Sequence, residues 1–218
     1  MPTALLVRLA LREIGEDPDQ QKPFLVALHC RPERAVFEAA VALLGHDHAA
    51  HRELGVRILR ELGAEREDGR RPFTAATIPL LRSRLGRETD ARVLGWVVSA
   101  LGYHGARAAL AGVLALAGHS DAWVRFSVAA ALPSLVDPAG IEPEAAEALI
   151  RLCHDERSNT RFYALYAATQ EVAGFDPGAL DALTGRLLAD PDEQVRLMAA
   201  DHRPDPAGSE GRGTATDQ

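Results

Sequence analysis

Residues 119–135 read HSDAWVRFSVAAALPSL and carry the phrase that decides the fold: an acidic residue, then Val-Arg, then small and apolar residues. Two further copies are clear. One is DPDEQVRLMAA at 190–200, and the other is DERSNTRFYALYA at 155–167, where Thr160 replaces Val. A phrase that recurs along a chain predicts stacked structural repeats instead of one irregular core.

Two weaker copies precede these three. DARVLGWVVSALG at 90–102 has Leu94 in place of Arg, and DHAAHRELGVRILRELG at 47–63 has His51 in place of Val. The Val position of the five copies falls at residues 51, 93, 124, 160 and 195, so the intervals are 42, 31, 36 and 35 residues. The first interval is long because a polar insert, EREDGRRP at 65–72, interrupts it.

Apolar runs lie between the copies, with apolar residues at the i, i+3, i+4 and i+7 spacing that is typical of amphipathic helices. These runs cover residues 35–44, 75–85, 106–117, 145–153 and 180–189. Each unit is therefore predicted to be a pair of antiparallel helices. One pair cannot bury both apolar faces alone, whereas stacked pairs share a continuous core.

The D-x-x-V-R…A…A-L phrase at intervals of 31 to 36 residues resembles the HEAT-repeat family, of the short bacterial kind related to phycobilisome-lyase repeats. The resemblance implies an all-α, right-handed α-solenoid of about five helix pairs in a single domain over residues 1–202. Residues 3–29 are predicted to form a helical N-terminal cap. The repeats are predicted at about 33–63, 74–105, 106–136, 142–171 and 178–202. The Pro/Gly-rich stretch 203–218 is predicted to be a disordered tail.

Composition narrows the function classes. The chain has 218 residues, 25% of them charged, and a formal net charge of −7, so it lacks the basic footprint of nucleic-acid binders. Arg8 and Arg12 interrupt the first apolar run, which argues against a secretory signal, and no apolar window is long enough to span a membrane. Cys30 and Cys153 are too few for a disulfide framework, and we expect a cytoplasmic protein.

The repeated phrase predicts its own structural chemistry. An acidic residue before each second helix is placed to cap free backbone N–H groups. The arginine after the Val position is expected to reach an acidic residue of the next repeat, which would give a ladder along the stack. The predicted ladder residues are Arg52, Arg125, Arg161 and Arg196.

A partner-binding face is predicted from helical periodicity. Counting the Val position as one, positions three, seven and eleven of each second helix are expected on the concave side. Position three is normally polar in such repeats, yet three repeats carry an apolar residue there. Binding and packing between repeats both remain open for these side chains. Trp96, Trp123 and Tyr163 are expected to pack against adjacent helices. The predicted partner-binding residues are Arg57, Tyr103, Phe126, Phe162, Tyr166 and Leu197.

These features favour a non-catalytic scaffold or adaptor that binds a protein or peptide, and an acidic chain with an apolar stripe suits a basic amphipathic helix. No cofactor or metal is predicted. A HEAT-like DNA glycosylase or other DNA-binding protein is one alternative, and the side chains of a glycosylase would be drawn from Trp96, Trp123, Tyr163 and Asp201. A metal-binding enzyme is the other, because His46, Asp47, His48 and His51 form the richest cluster of potential ligands.

Overall fold

A computed structural model describes residues 1–15 and 20–202, so the tail predicted at 203–218 lies outside the described residues. Every regular element in this part of the chain is helical. The α-helices are α1 (Thr3–Glu13), α2 (Pro23–His29), α3 (Arg34–Leu44), α4 (Ala49–Glu61), α5 (Thr74–Leu85), α6 (Ala91–Tyr103), α7 (Leu110–Leu114), α8 (Ala122–Ala131), α9 (Pro143–Leu152), α10 (Ser158–Tyr166), α11 (Pro177–Leu187) and α12 (Glu193–Asp201).

Within the described residues five helix pairs follow the N-terminal pair α1 and α2, and the second helices α4, α6, α8, α10 and α12 pack against one another in chain order. We call these five helices the second-helix row. Helices α1 and α2 pack on each other and on α3 and α4, so they cover the N-terminal end of the stack. The all-α solenoid predicted from the repeats is confirmed. None of the helices in the described ranges has both the length and the apolar character needed to cross a membrane.

Departures from regular helix lie in the third and fourth repeats. The run predicted as one helix over 106–117 splits into a 3-10 turn, Arg107–Ala109, and the short α7. A 3-10 turn, Leu132–Ser134, extends α8, and Pro133 explains it because proline cannot supply the N–H that a longer α-helix needs. A π-helical turn, Ala167–Glu171, ends α10.

Aspartates cap three of the second helices. The carboxylates of Asp90, Asp121 and Asp192 accept hydrogen bonds from backbone N–H groups in the first turns of α6, α8 and α12. Asp47 does not play this part, because the N-cap residue of α4 is His48, which makes no side-chain cap bond. The expected capping therefore holds where the aspartate stands directly before the helix and fails where it stands one residue earlier.

Arginine forks join neighbouring repeats. Arg52 Nε and Nη2 donate to both oxygens of Glu88 at 2.9 and 2.8 Å. Arg161 does the same to Asp190 at 2.8 and 2.6 Å. Arg125 reaches Asp155 at 2.5 and 3.2 Å. Each guanidinium also uses Nη1 to bind two carbonyls of the turn before its own helix. Each fork thus fixes one inter-helix turn and attaches it to the next repeat. We call these three residues the arginine ladder.

Arg196 lacks the second half of this interaction. Its Nη1 donates to the carbonyls of Asp190 and Pro191 at 2.7 and 3.0 Å, as in the other repeats. Within the described residues no repeat follows α12, so no carboxylate meets its Nε and Nη2. Arg196 therefore organises its own turn but joins no neighbour.

The junction between the second and third repeats uses a tryptophan instead of an ion pair. Leu94 stands where the arginine would be, and His119 stands where the acidic partner would be, five residues before Val124. Trp123 takes their place, because its indole Nε1 donates to the carbonyl of Arg92 at 3.2 Å. The indole lies so close to α6 that an added Cβ on Gly95 would fall 2.1 Å from Nε1. Only glycine fits at that position.

Ion pairing sets the titration of Glu88. Burial alone would raise the pKa of its carboxyl, but hydrogen bonds from Arg52, the Asp90 N–H and Arg84 outweigh burial and lower the pKa to about 2. In the unfolded chain a glutamate titrates near ~4.3. Because the folded pKa is the lower one, this group stabilises the fold above about pH 4.5, and the contribution is lost as pH falls towards 2.

Replacing Glu88 with Gln tests the ladder. Glu88→Gln leaves the guanidinium groups of Arg52 and Arg84 without their carboxylate, and we expect the free energy of unfolding at pH 7 to fall by about 3 kcal/mol. Urea denaturation followed by circular dichroism measures it. Glu38→Gln is the control, since Glu38 pairs with Arg34 on the exposed surface and should cost less than about 0.5 kcal/mol. The gap between Glu88→Gln and wild type should narrow below pH 4. Equal losses in the two variants would contradict a ladder that holds the repeats together.

Gly95→Ala tests the docking of Trp123. The added methyl collides with the indole, so we expect a loss of about 1–3 kcal/mol in unfolding free energy. Gly185→Ala is the matched control, because no atom lies within 4 Å of its added Cβ in α11 and alanine should stabilise that helix by about 0.5–1 kcal/mol. In a Trp123→Leu background the cost of Gly95→Ala should largely vanish. An unchanged cost in that background would show that the clash is not with Trp123.

Candidate partner-binding site

Six aromatic rings form a continuous series across the second-helix row. The centroids of Trp96 and Trp123 are 5.3 Å apart, and those of Trp123 and Phe126 are 5.6 Å apart. Tyr163 meets Phe126 edge-on at 5.0 Å, and Phe162 lies beside Tyr163 at 5.7 Å. Tyr166 stacks on Phe162 at 6.4 Å. These six residues, which run from α6 through α8 to α10, are called the aromatic strip.

The strip is open to solvent along much of its length. Tyr163 is 42% exposed and Tyr166 is 36% exposed, whereas Phe126 and Phe162 are half-buried. The two phenylalanines therefore pack between second helices and still contribute surface. Tyr163, which the sequence predicts to pack against an adjacent helix, contacts Phe126 of α8 and still keeps 42% of its surface exposed. An apolar surface of this extent on one face of a chain is typical of an interaction site.

Two further predicted site residues lie at the ends of the row. Tyr103, at the end of α6, is 49% exposed, and Leu197, in α12, is 54% exposed. Leu197 occupies the place in the last repeat that Phe162 has in the fourth, and it is uncovered because no described helix follows α12.

Arginine side chains cover the N-terminal end of the strip. The guanidinium of Arg57 lies 4.5 Å from the ring centroid of Trp96, and that of Arg60 lies 3.4 Å from the ring of Tyr103. Arg60 also donates to Ser99 Oγ at 3.0 Å, and burial lowers the pKa of its guanidinium. Arg57 pairs with Glu53 at 3.2 Å, so its charge is already partnered. Arg57 is one of the predicted partner-binding residues, whereas Arg60 is not, because it stands at position ten of the helix, outside the predicted row.

Three clefts open along the strip. The central one, about 350 Å³, lies between Arg60 and Tyr163, and small side chains such as Ala130 and Ser134 leave the room for it. A cleft of about 400 Å³ is lined by Arg92, Trp96, Asp121 and Trp123. A third, of about 280 Å³, is lined by Ser158, Asn159, Phe162, Tyr163, Asp192 and Gln194. The surface thus offers recesses of side-chain size beside exposed rings.

The histidine cluster packs against itself. The rings of His46 and His51 are stacked with centroids 3.8 Å apart, and His48 lies 5.3 Å from His46. His46 Nδ1 accepts a hydrogen bond from the backbone N–H of His48. Burial and the neighbouring rings lower the pKa of His51, which favours the neutral stack. In the part of the chain that the structure describes, no three His, Cys, Asp or Glu side chains are grouped to hold a metal ion.

The two cysteines and Asp201 lie in different environments. Cys30 is exposed and Cys153 is buried, and burial raises the pKa of the Cys153 thiol to about 12. Three of the four arginines that a DNA-binding face would need, Arg52, Arg125 and Arg161, are paired with carboxylates. Asp201 is exposed near the end of α12.

Comparison with known proteins finds no matching family model and no matching curated protein, but it finds solved structures of the same fold. The Escherichia coli protein YibA superimposes with a TM-score of 0.71 at 16% identity over 91% of this chain and 68% of that chain. The complex of CpcE and CpcF of phycocyanin lyase from Nostoc sp. PCC7120 matches with a TM-score of 0.55 at 17% identity, over 77% and 98%. The archaeal HEAT-like repeats protein from Thermococcus onnurineus NA1 matches with a TM-score of 0.53 at 16% identity, over 92% and 78%.

These identities are low, so the likeness bears on the fold alone. Within that limit, the neighbours include HEAT-like repeats and a phycocyanin lyase complex, the two groups that the repeated phrase resembles. The chain has the fold of HEAT-like repeat proteins.

Proposed function

We propose that the chain is a non-catalytic scaffold that holds a protein or peptide segment against the aromatic strip. The observation that carries this proposal is the strip itself, a connected series of rings on one face of three successive second helices. Aromatic side chains supply much of the binding energy at protein interfaces. A strip needed only for packing would be covered, whereas Tyr163 and Tyr166 are open to solvent.

Shape and charge support the same proposal. Recesses of about 280 to 400 Å³ lie along the strip and suit individual side chains of a partner. The net charge of −7 favours a basic partner over an acidic one. The complex of CpcE and CpcF is a solved case in which proteins of this fold associate with each other.

Unbiased peptide selection tests this function. A phage library of random 15-residue peptides is panned on the purified protein, and the enriched peptides are measured by fluorescence anisotropy. We expect micromolar binders whose affinity falls at least about tenfold for the Tyr163→Ala/Tyr166→Ala variant, because both rings lose their contact area. Both side chains are exposed, so the fold should survive the change.

Val26→Ala is the matched control, because Val26 is an equally exposed apolar residue of α2, at 54%, outside the strip. Its affinity for the selected peptides should equal that of the wild type. Absence of enriched peptides, or enriched peptides that bind the tyrosine variant as tightly as the wild type, would reject the strip as the binding face.

A further inference from the structure

Two of the clefts are equivalent positions of the repeat. The first acidic pocket lies between Trp96 of α6 and Asp121 at the start of α8, with Trp123 as a wall. The second acidic pocket lies between Tyr163 of α10 and Asp192 at the start of α12. Each aromatic residue stands three residues after the Val position of its own repeat. Each aspartate stands three residues before the Val position of the following repeat. The same pocket therefore occurs twice, two repeats apart.

Each aspartate retains acceptor capacity after capping its helix. Asp121 Oδ1 accepts the N–H of Trp123 at 2.8 Å, and Asp192 Oδ1 accepts the N–H of Gln194 at 2.9 Å. Ser158 also hydrogen-bonds Asp192. A carboxylate offers about four lone-pair positions, so both can accept a further charged donor.

A carboxylate beside aromatic rings is a site for a cationic side chain. A guanidinium or ammonium group gains an ion pair with the aspartate and a cation–π contact with the ring at the same time. The protein shows that its own rings accept such a group, because Arg57 already lies over Trp96. In the first acidic pocket Arg92 is also present, and its pairing with Glu53 at 2.8 Å uses a carboxylate that Arg57 shares, so this pocket attracts a cation less strongly than the second. The second acidic pocket carries no such arginine among its lining residues.

The surface between the two pockets favours a helical occupant. It consists of rings, chiefly Phe126 and Phe162, which offer no hydrogen-bond partner to a peptide backbone. An extended segment would bury unsatisfied N–H and C=O groups there, whereas a helix satisfies its own. Neighbouring helices lie about 8–10 Å apart, so pockets two repeats apart are separated by about 16–20 Å. Eleven residues of helix span roughly 16 Å and return to nearly the same face.

From this geometry we infer that the partner is a basic amphipathic helix with two arginine or lysine side chains eleven residues apart, one in each acidic pocket. Apolar residues of the helix cover the rings between them. This inference rests on the proposed function, since it names the class of segment that the aromatic strip holds. It adds a spacing that the strip alone does not require.

Two designed helical peptides test the spacing. Both have about 18 residues of leucine, alanine and glutamine with two arginines and a fluorescein label, and they have identical composition. One peptide places the arginines eleven residues apart, and the other places them nine apart, which puts the second arginine on the opposite face. At physiological salt we expect the first peptide to bind at least about tenfold more tightly in anisotropy titrations. Equal affinities, or no binding of the first peptide, would overturn the inference.

Charge removal in the protein tests the two pockets separately. Asparagine is as good a helix cap as aspartate, so Asp121→Asn and Asp192→Asn should preserve the fold. Each should weaken binding of the peptide whose arginines are eleven residues apart by about fivefold, with the larger loss at Asp192, where no arginine lines the pocket. Asp181→Asn is the control, an exposed acid of α11 outside both pockets, and it should leave affinity unchanged. Identical affinities for all three variants and wild type would overturn the inference.

Failure of this inference and failure of the proposed function give different results. If selected library peptides depend on Tyr163 and Tyr166 but carry no paired basic residues, and the designed peptide does not bind, the scaffold function stands and the cation pockets are wrong. If the library gives no peptide that depends on the strip, the function itself fails.

Discussion

The bidentate bond between an arginine of one second helix and a carboxylate in the inter-helix turn of the next repeat sets the register at three of the four junctions between the described repeats. Because the guanidinium also binds two carbonyls of its own turn, each fork fixes the position of a loop and a neighbouring helix together. Arg52, Arg125 and Arg161 do this at three junctions. At the remaining internal junction both partners are replaced, and Trp123 docks on Gly95 instead. Each of the four junctions between the described repeats therefore has one specific side-chain contact that fixes the position of its neighbour.

The candidate binding face shares residues with these inter-repeat contacts. Trp123 belongs both to the junction and to the aromatic strip, and Phe126, one turn later in the same helix α8, lies within ring contact of it. The residues just after the ladder arginines, Phe126 and Phe162, lie where neighbouring second helices meet, so they are half-buried and half-available. The same two side chains thus pack between repeats and form part of the exposed binding surface. A partner that covers the strip would bind across several repeats and not on one.

Much of the architecture could be predicted from the sequence because each recurring position of the repeated phrase has one structural role, such as capping a helix, pairing with the next repeat or filling the core. The helix pairs and the arginine partners follow from local spacing, and so does the apolar face. What could not be predicted depends on distances between repeats. The exposure of Tyr163 depends on how closely α12 approaches α10. The contact of Arg60 in α4 with Tyr103 in α6 depends in the same way on how two neighbouring repeats pack. The short α7 and the noncapping Asp47 show that a pattern does not set exact helix bounds.

The two tryptophans of the chain, Trp96 and Trp123, both lie in the aromatic strip. Their emission therefore reports on this surface alone. The most direct measurement is acrylamide quenching of tryptophan fluorescence, with and without a saturating bound peptide that itself lacks tryptophan. If the strip is the binding face, the bound peptide shields the indoles and the Stern–Volmer constant falls by about half or more. A peptide that binds fully yet leaves the quenching constant unchanged would place the partner elsewhere on the solenoid and contradict the assignment.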